Sequence, residues 1–268
     1  TAVLTTWDNT IFTELDSNVK HTAGNITSVQ IDNAGIGYLN PTVTFTGANT
    51  TLATATANSN TSGSITSTVR ANTTYGQSLV HYKGTAAGSN TVGHGLSAAP
   101  EMMIVRCRSA ANAWAIYHKD IGNAAYIELN QTLGQQAGVN VWNSTTPTSS
   151  VFTVVGAFNS GETISFYAFT DIESFSKTGK YIGNSAANGI YVDLGFRPAF
   201  VLIKSTSSGT DWCIFDNKRL GYNVDNNLQR LANVTEQTDD DIDFLSNGFK
   251  IRRNSTNFNS SSYTYVYI

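Results

Sequence analysis

The chain has 268 residues, of which only 13% are charged, and its formal net charge is −3 at pH 7. About a quarter of residues are charged in a typical soluble domain; here the deficit is filled by uncharged polar residues that suit strands and turns. This composition gives no electrostatic reason to expect nucleic acid or an anionic membrane as a partner. No stretch approaches the roughly 20 apolar residues that cross a bilayer, so membrane insertion is not expected.

The N-terminal quarter differs in pattern from the rest of the chain. Residues 1–24 are weakly patterned, and we expect a docking segment there. Residues 25–75 show apolar residues at alternating positions, broken by glycine turns, which predicts a small β module. The chain starts without Met and stops inside a predicted strand, 263–268, so we expect the protein to extend beyond both ends.

The remaining sequence is an internal duplication, with one copy at 76–172 and the other at 173–268. The copies share apolar, aromatic, Gly and Pro positions in the same order: Gly95, Pro100, the run 102–105 and Trp114 in the first, and Gly195, Pro198, the run 200–203 and Trp212 in the second. Turn residues recur at intervals typical of antiparallel strands. We therefore predict an all-β fold of tandem antiparallel β-sandwich or jelly-roll-like units, related by internal duplication. No linker separates them, so the second repeat is expected to pack on the first.

Helix is expected to be minor in this pattern. The best helical candidates are 125–133 and 224–234, where apolar residues recur on one face. The repeated Trp114 and Trp212 are expected in the core. Cys107 and Cys213 lie in apolar strands and are expected to be buried free thiols.

The polar positions of the two copies do not match. His118 faces Asp216, and His94 faces Leu194. A duplicated active site should duplicate its acids and bases, and no common nucleophile, nucleotide or metalloprotease motif occurs. The sequence therefore favours a framework that presents a surface over an enzyme.

The densest acidic feature is a predicted loop before the strand at 244–245. It contains Asp239, Asp240, Asp241 and Asp243. Calcium takes six to eight oxygen ligands and tolerates irregular loops, so a calcium site is one interpretation and a solvated loop is the other. No other cofactor is expected.

Aromatic and amide side chains on loops of a β-sandwich are the other candidates for a functional site. Aromatic rings stack on sugar rings, while amides and hydroxyls bind the sugar's edges. The candidate binding residues are Trp142, Tyr222, Asn223 and Tyr263. Trp142 has no partner in the second copy, which favours a surface role for it.

Several ordered strings resemble a known family. They include Gly93-His94-Gly95-Leu96, Arg108-Ser109-Ala110 and Tyr117-His118 in the first copy, and Ile242 to Lys250 in the second. Over residues 76–268 the chain resembles a duplicated β-repeat in structural proteins of marine and cyanobacterial tailed phages. The module at 25–75 resembles a short Gly-x-Gly-Tyr β repeat of phage and bacterial surface proteins. The resemblance implies a virion component, such as a tail fibre or capsid appendage, and supplies no catalytic residues.

These observations leave three functional hypotheses. The first is a non-enzymatic virion structural protein on the particle surface, forming a homo-oligomer, with a trimer favoured, and contacting other virion proteins and a host-surface glycan. The second is a secreted or surface carbohydrate-binding module. The third is a glycan-degrading tailspike, which would need two carboxylates roughly 5 to 10 Å apart.

Overall fold

A computed structural model describes residues 60–219, 223, 228–231 and 241–268, with 139 and 140 by backbone only, and the backbone of the strands at 19–22, 25–29, 42–44, 54–56, 59 and 233–237. The chain forms two compact units, Thr1–Ser59 and Asn60–Ile268.

The described residues of the first unit include two antiparallel strand pairs. Its strands are β1 (Val19–Thr22), β2 (Asn25–Val29), β3 (Thr42–Thr44) and β4 (Thr54–Thr56). β1 pairs with β2, and β3 pairs with β4. β1 lies within the predicted docking segment, 1–24, whose other residues lie outside the described part of the chain.

The first repeat contains ten strands, one short α-helix and one 3-10 helix. The strands are β5 (Ser59–Asn60), β6 (Ser67–Asn72), β7 (Gln77–Lys83), β8 (Asn90–Gly93), β9 (Met102–Cys107), β10 (Ala115–His118), β11 (Ala125–Glu128), β12 (Gln136–Ala137), β13 (Val151–Val154) and β14 (Thr163–Phe169). The helices are α1 (Val139–Trp142) and the 3-10 helix Gly156–Asn159.

The described part of the second repeat contains nine strands. They are β15 (Gly179–Ile182), β16 (Tyr191–Asp193), β17 (Phe200–Ser205), β18 (Cys213–Asp216), β19 (Leu228–Arg230), β20 (Asn233–Gln237), β21 (Ile242–Leu245), β22 (Gly248–Ile251) and β23 (Thr264–Tyr267).

The two repeats have the same topology. The large sheet of the first has the order β12-β11-β10-β9-β14-β7-β6-β5, and that of the second has the order β20-β19-β18-β17-β23-β15. The small sheets share one strand pair, β13-β8 in the first repeat and β22-β16 in the second, and the second sheet has β21 in addition. The all-β prediction is therefore confirmed, and the repeats differ by the edge strands β5 and β6 in the first and by β21 in the second.

The hairpin of β6 and β7 crosses the predicted border between the small module, 25–75, and the first repeat. β6 pairs with β7 from Thr68 opposite His81 to Asn72 opposite Gln77. Part of the sequence assigned to the small module thus belongs to the first large sheet.

Both helical predictions are wrong. Residues 125–128 form β11, and β19 and β20 lie within or overlap 224–234. β19 has the same place beside β18 as β11 has beside β10, so the sheet position overrides local helical periodicity in both repeats.

Three apolar clusters hold the second unit together. Strand alternation sends Met103, Val105 and Cys107 of β9 into a core shared with the first small sheet. An equivalent core in the second repeat includes Ile203 and Phe215. A third cluster lies between the two large sheets, where the buried members are Met102, Ile116 and Ile127 of the first repeat and Leu202, Trp212 and Val266 of the second.

Candidate functional site

Two buried side chains, Tyr82 and Asn159, form a clamp in the first repeat. The Tyr82 hydroxyl donates to the Phe158 carbonyl at 2.9 Å. The Asn159 amide oxygen accepts the Thr85 amide hydrogen at 3.0 Å, and its nitrogen donates to the Gly88 carbonyl at 2.9 Å. The clamp thus supplies hydrogen-bond partners for backbone groups in the loop after β7.

The second repeat contains the same clamp. The Tyr181 hydroxyl donates to the Phe258 carbonyl at 2.7 Å. The Asn259 side chain accepts from the Asn184 amide at 3.0 Å and donates to the Ala186 carbonyl at 2.8 Å. Burial raises the pKa of Tyr181 well above its ordinary value, as it does for Tyr82, so both phenols stay neutral donors.

A glycine completes each clamp. A Cβ on Gly84 would lie 2.7 Å from the Asn159 carbonyl carbon, and one on Gly183 would lie 2.8 Å from that of Asn259. Only glycine fits such close backbone approaches. Sequence analysis missed the clamp, although Tyr-x-Gly at 82–84 and 181–183 and Phe-Asn-Ser at 158–160 and 258–260 carry the signal.

His118 accepts a hydrogen bond from a backbone amide, and so does Asp216, which has the equivalent position in the second repeat. His118 Nδ1 accepts the Asp120 amide at 3.2 Å, and Asp216 Oδ1 accepts the Lys218 amide at 2.9 Å. His118 Nε2 also bonds to the Tyr267 carbonyl at 3.2 Å, across the two repeats. Burial lowers its pKa, so the ring is neutral with the proton on Nε2.

His94 has an equivalent structural role in its turn. Its Nδ1 accepts the Leu96 amide at 3.1 Å, and its Nε2 bonds to the Thr148 carbonyl at 3.1 Å. Burial lowers the pKa of His94 as well. Both buried histidines therefore hold turns in place through backbone groups.

The prediction of a surface role for Trp142 is wrong. Its side chain is 1% exposed and donates Nε1–H to the Ala125 carbonyl at 3.1 Å. It makes edge contacts with Tyr117 and Phe166, with ring centroids 5.9 and 6.2 Å apart. In the second repeat, the strand β21 with buried Phe244 occupies this place in chain order. Trp142 therefore has no counterpart in the second repeat because a different residue fills that part of the core.

The other predicted sugar-binding residues are scattered. Tyr222 lies outside the described residues, and Asn223 is an exposed residue in a bend. Tyr263 is half-buried and packs against the core of the second repeat, while its carbonyl accepts the Gly183 amide at 3.0 Å. Tyr263 is thus attached to the clamp region of the second repeat.

The described carboxylates of the acidic segment face arginines. Asp241 is fully buried, and its Oδ1 lies 3.4 Å from Arg253 Nη1. Asp243 Oδ2 lies 3.3 Å from Arg252 Nε. Asp239 and Asp240 lie outside the described residues, so calcium binding stays a prediction. Within the described ranges, no three His, Cys, Asp or Glu side chains form a group that could hold a metal ion.

The repeated tryptophans have different environments. Trp212 is 3% exposed, lies between the repeats and donates Nε1–H to the Glu128 carbonyl at 2.8 Å. Trp114 is half-buried, with the Arg106 guanidinium 5.4 Å from its ring centroid. The core prediction is confirmed for Trp212 and wrong for Trp114, because the second repeat covers only part of the first large sheet.

The uncovered part of that sheet forms the candidate site, which we name the open face. Its side chains lie opposite the core-facing positions of β6, β7, β9 and β14, and they are Thr68, Arg70, Leu79, His81, Lys83, Arg106, Arg108, Thr163, Ser165, Tyr167 and, beside Arg106, Trp114. The strand register aligns them in rows across the sheet. The first row is Arg70, Leu79, Tyr167; the second is Thr68, His81, Ser165, Arg106; the third is Lys83, Thr163, Arg108.

The open face combines exposed apolar and basic groups. Leu79 and Tyr167 are directly opposite each other and are 43% and 38% exposed. Arg70, Lys83 and Arg108 are exposed. Partial burial lowers the pKa of His81, and the charge of Arg108 lowers it further, so His81 is neutral at pH 7. The face can therefore bind a ligand through ring contacts, hydrogen bonds and ion pairs.

The fold and this surface define a duplicated all-β protein with two sandwiches joined sheet to sheet. The chain belongs to the DUF7483 family, a domain of unknown function, whose model matches residues 41–268. No curated protein and no solved structure gives a significant match. No described helix is long and apolar enough to cross a membrane.

Proposed function

We propose that this chain is a non-enzymatic structural protein of a tailed-phage virion, of the tail-fibre or capsid-appendage kind, and that its open face contacts a glycan of the host surface. The resemblance over residues 76–268 supports the virion assignment. The fold supports a structural role, because what the repeats share is a framework.

The observation that carries the proposal is the contrast between the duplicated clamps and the unduplicated polar residues. Tyr82 and Asn159 have equivalents in Tyr181 and Asn259 that make the same bonds. His118 and Asp216 differ in chemistry, yet each accepts the amide hydrogen two residues ahead. Chemical identity was retained where backbone groups and cores require it, which is expected for a protein that acts by shape and contact.

The direct test is the location of the chain in particles. Particles would be purified from a culture that produces the phage encoding this chain and labelled with gold-conjugated antibody against residues 60–268. We expect label on tails or on capsid projections of intact particles. Label confined to the particle-free supernatant would contradict the virion proposal.

A carbohydrate-binding module outside any virion is the second candidate, favoured by the exposed aromatic and basic open face. Light scattering on the purified chain separates the two. A stable homo-oligomer, with a trimer expected, supports the appendage. A monomer that binds sugar supports the isolated module.

A further inference from the structure

The open face carries a local positive charge that the net charge of the chain conceals. Arg70, Lys83, Arg106 and Arg108 all point to this side of the sheet. The strands β6, β7, β9 and β14 contain no Asp or Glu. Summed surface potential depends on such local distributions, so a face can attract anions on a protein with net charge −3.

Ion pairing distinguishes these cations from most basic residues in the described part of the chain. Within the described residues, Arg70, Lys83 and Arg108 form no ion pair, and Arg106 donates to the Asn112 carbonyl at 2.6 Å. The basic residues elsewhere are mostly paired, as Lys119 is with Asp171 at 2.8 Å.

Carboxylates near the edges of this sheet are already engaged. Glu101, which precedes β9, lies 3.4 Å from Lys119 Nζ. Glu162, which precedes β14, accepts a short hydrogen bond from the Ser109 hydroxyl. Among the described residues, neither carboxylate forms an ion pair with Arg70, Lys83 or Arg108.

The rows also match the geometry of a chain of sugar rings. Tyr167 and Leu79 give an apolar surface with the cation of Arg70 beside it in the first row, and the Arg106–Trp114 pair lies diagonally across from Tyr167 in the second row. Neighbouring strands lie about 4.8 Å apart, so the row from β6 to β9 spans roughly 14 Å, or about three sugar residues. Hydroxyls of Thr68 and Ser165 lie between the cations and can bond to sugar hydroxyls.

We infer that the open face binds an acidic polysaccharide, with uronate-type carboxylates paired to Arg70, Lys83 and Arg108 and with sugar rings against Tyr167 and Leu79. This inference rests on the proposed glycan-binding role and specifies its ligand class. Nucleic acid is the less favoured polyanion, because the apolar centre of the row has one exposed aromatic ring and no series of rings on which successive bases could stack.

The test measures binding of the whole chain to immobilised polyuronates by biolayer interferometry. The probes are alginate and polygalacturonate, with their carboxyl-reduced forms as neutral controls and a single-stranded DNA oligonucleotide as the other polyanion. We expect binding to at least one polyuronate that weakens about tenfold or more between 50 and 300 mM NaCl, because exposed ion pairs are screened. The carboxyl-reduced polymers should bind more weakly than the polyuronates by a similar factor.

Two variants test whether that binding occurs at the open face. Arg70→Glu with Lys83→Glu should weaken polyuronate binding about tenfold or more, since each reversal replaces attraction with repulsion. Lys218→Glu combined with Lys177→Glu is the matched control on the second repeat, where two exposed lysines receive the same charge reversals. Tyr167→Ala should weaken binding as well, whereas Tyr191→Ala, at a 41% exposed tyrosine of the second repeat, should not.

The outcomes separate this inference from the proposed function. Equal binding to acidic and carboxyl-reduced polymers would overturn the acidic ligand while keeping a glycan-binding face. Binding to neither form of any polymer would overturn the inference and the glycan contact, and gold labelling of particles would still decide the virion role. Preferential binding to DNA, or equal effects of the Arg70/Lys83 and Lys177/Lys218 variants, would also overturn the inference.

Discussion

Equivalent positions on the two large sheets have opposite environments: the face around Arg106 is open in the first repeat, and the face around Lys204 is buried in the second. Lys204 has the place on β17 that Arg106 has on β9, and each donates to a carbonyl in the following loop, Thr210 for Lys204 and Asn112 for Arg106. Lys204 is fully buried and donates in addition to the Thr132 carbonyl of the first repeat at 2.9 Å.

The contrast shows that a shared framework can place equivalent positions in a docking surface in one copy and on an exposed face in the other. The second large sheet places Leu202, Trp212 and Val266 against the first repeat. The first has two added strands, β5 and β6, and leaves β6, β7 and β14 uncovered. The added strands and the offset docking together create the open face.

The largest expected effect comes from the two equivalent tryptophans. Trp212→Ala should lower the free energy of unfolding by about 3 to 5 kcal/mol, because it leaves a cavity between the repeats. Trp114→Ala should cost only about 1 kcal/mol, since that ring is half-buried and mainly contacts Arg106. Urea unfolding of both variants measures the difference. Equal losses would show that the two positions are equivalent in packing as well as in topology.

The paired clamps should show the opposite result, a matched loss in both repeats. Asn159→Ala and Asn259→Ala should each cost about 1 to 3 kcal/mol, because each removes a buried amide that bonds to backbone groups of the neighbouring loop. Asn254→Ala, at an exposed position, is the control and should change stability by about 0.5 kcal/mol or less. A loss confined to one repeat would argue against the clamps' equivalence.

Lys204 allows the buried docking surface to be tested by pH. Burial lowers its pKa to about 8 from 10.5 in the unfolded chain. Between these values the folded state has released a proton that the unfolded state retains, so stability rises with pH in this window. Relative to Lys204→Met, the wild-type chain should gain at most about 3 kcal/mol from pH 7.5 to 10.5. A constant difference between the two proteins would contradict the shift.

The smallest effect is expected on the acid side. Burial lowers the pKa of His94 and His118, so the unfolded chain takes up protons first as the pH falls below 6.5. The stability contributed by the neutral rings is present above pH 6.5 and is lost toward the folded pKa. The variant His94→Asn with His118→Asn should show a flatter stability profile between pH 6.5 and 5. An unchanged slope would show that other groups cause the loss of stability at acid pH.

The sequence predicted the shared framework well and the surface poorly. Period-two alternation and the repeated Gly, Pro and apolar positions gave the fold class, the duplication and the docking of the repeats, because those features are set by backbone geometry and burial. Trp142 was misassigned because core filling differs between the copies. The open face was missed because its residues come from β6, β7, β9 and β14, and only the strand register brings them together.

The two cysteines have a practical consequence. Cys107 lies fully buried in the core of the first repeat and Cys213 in that of the second, and both are free thiols, as expected from the sequence. Burial raises the pKa of Cys213, which further suppresses its reaction with thiol reagents while the fold is intact. Each sandwich therefore contains one buried thiol that a reagent can modify only after that sandwich opens. The order in which a labelling reagent modifies the two sulfurs would report which half of the molecule opens first, without any engineered probe.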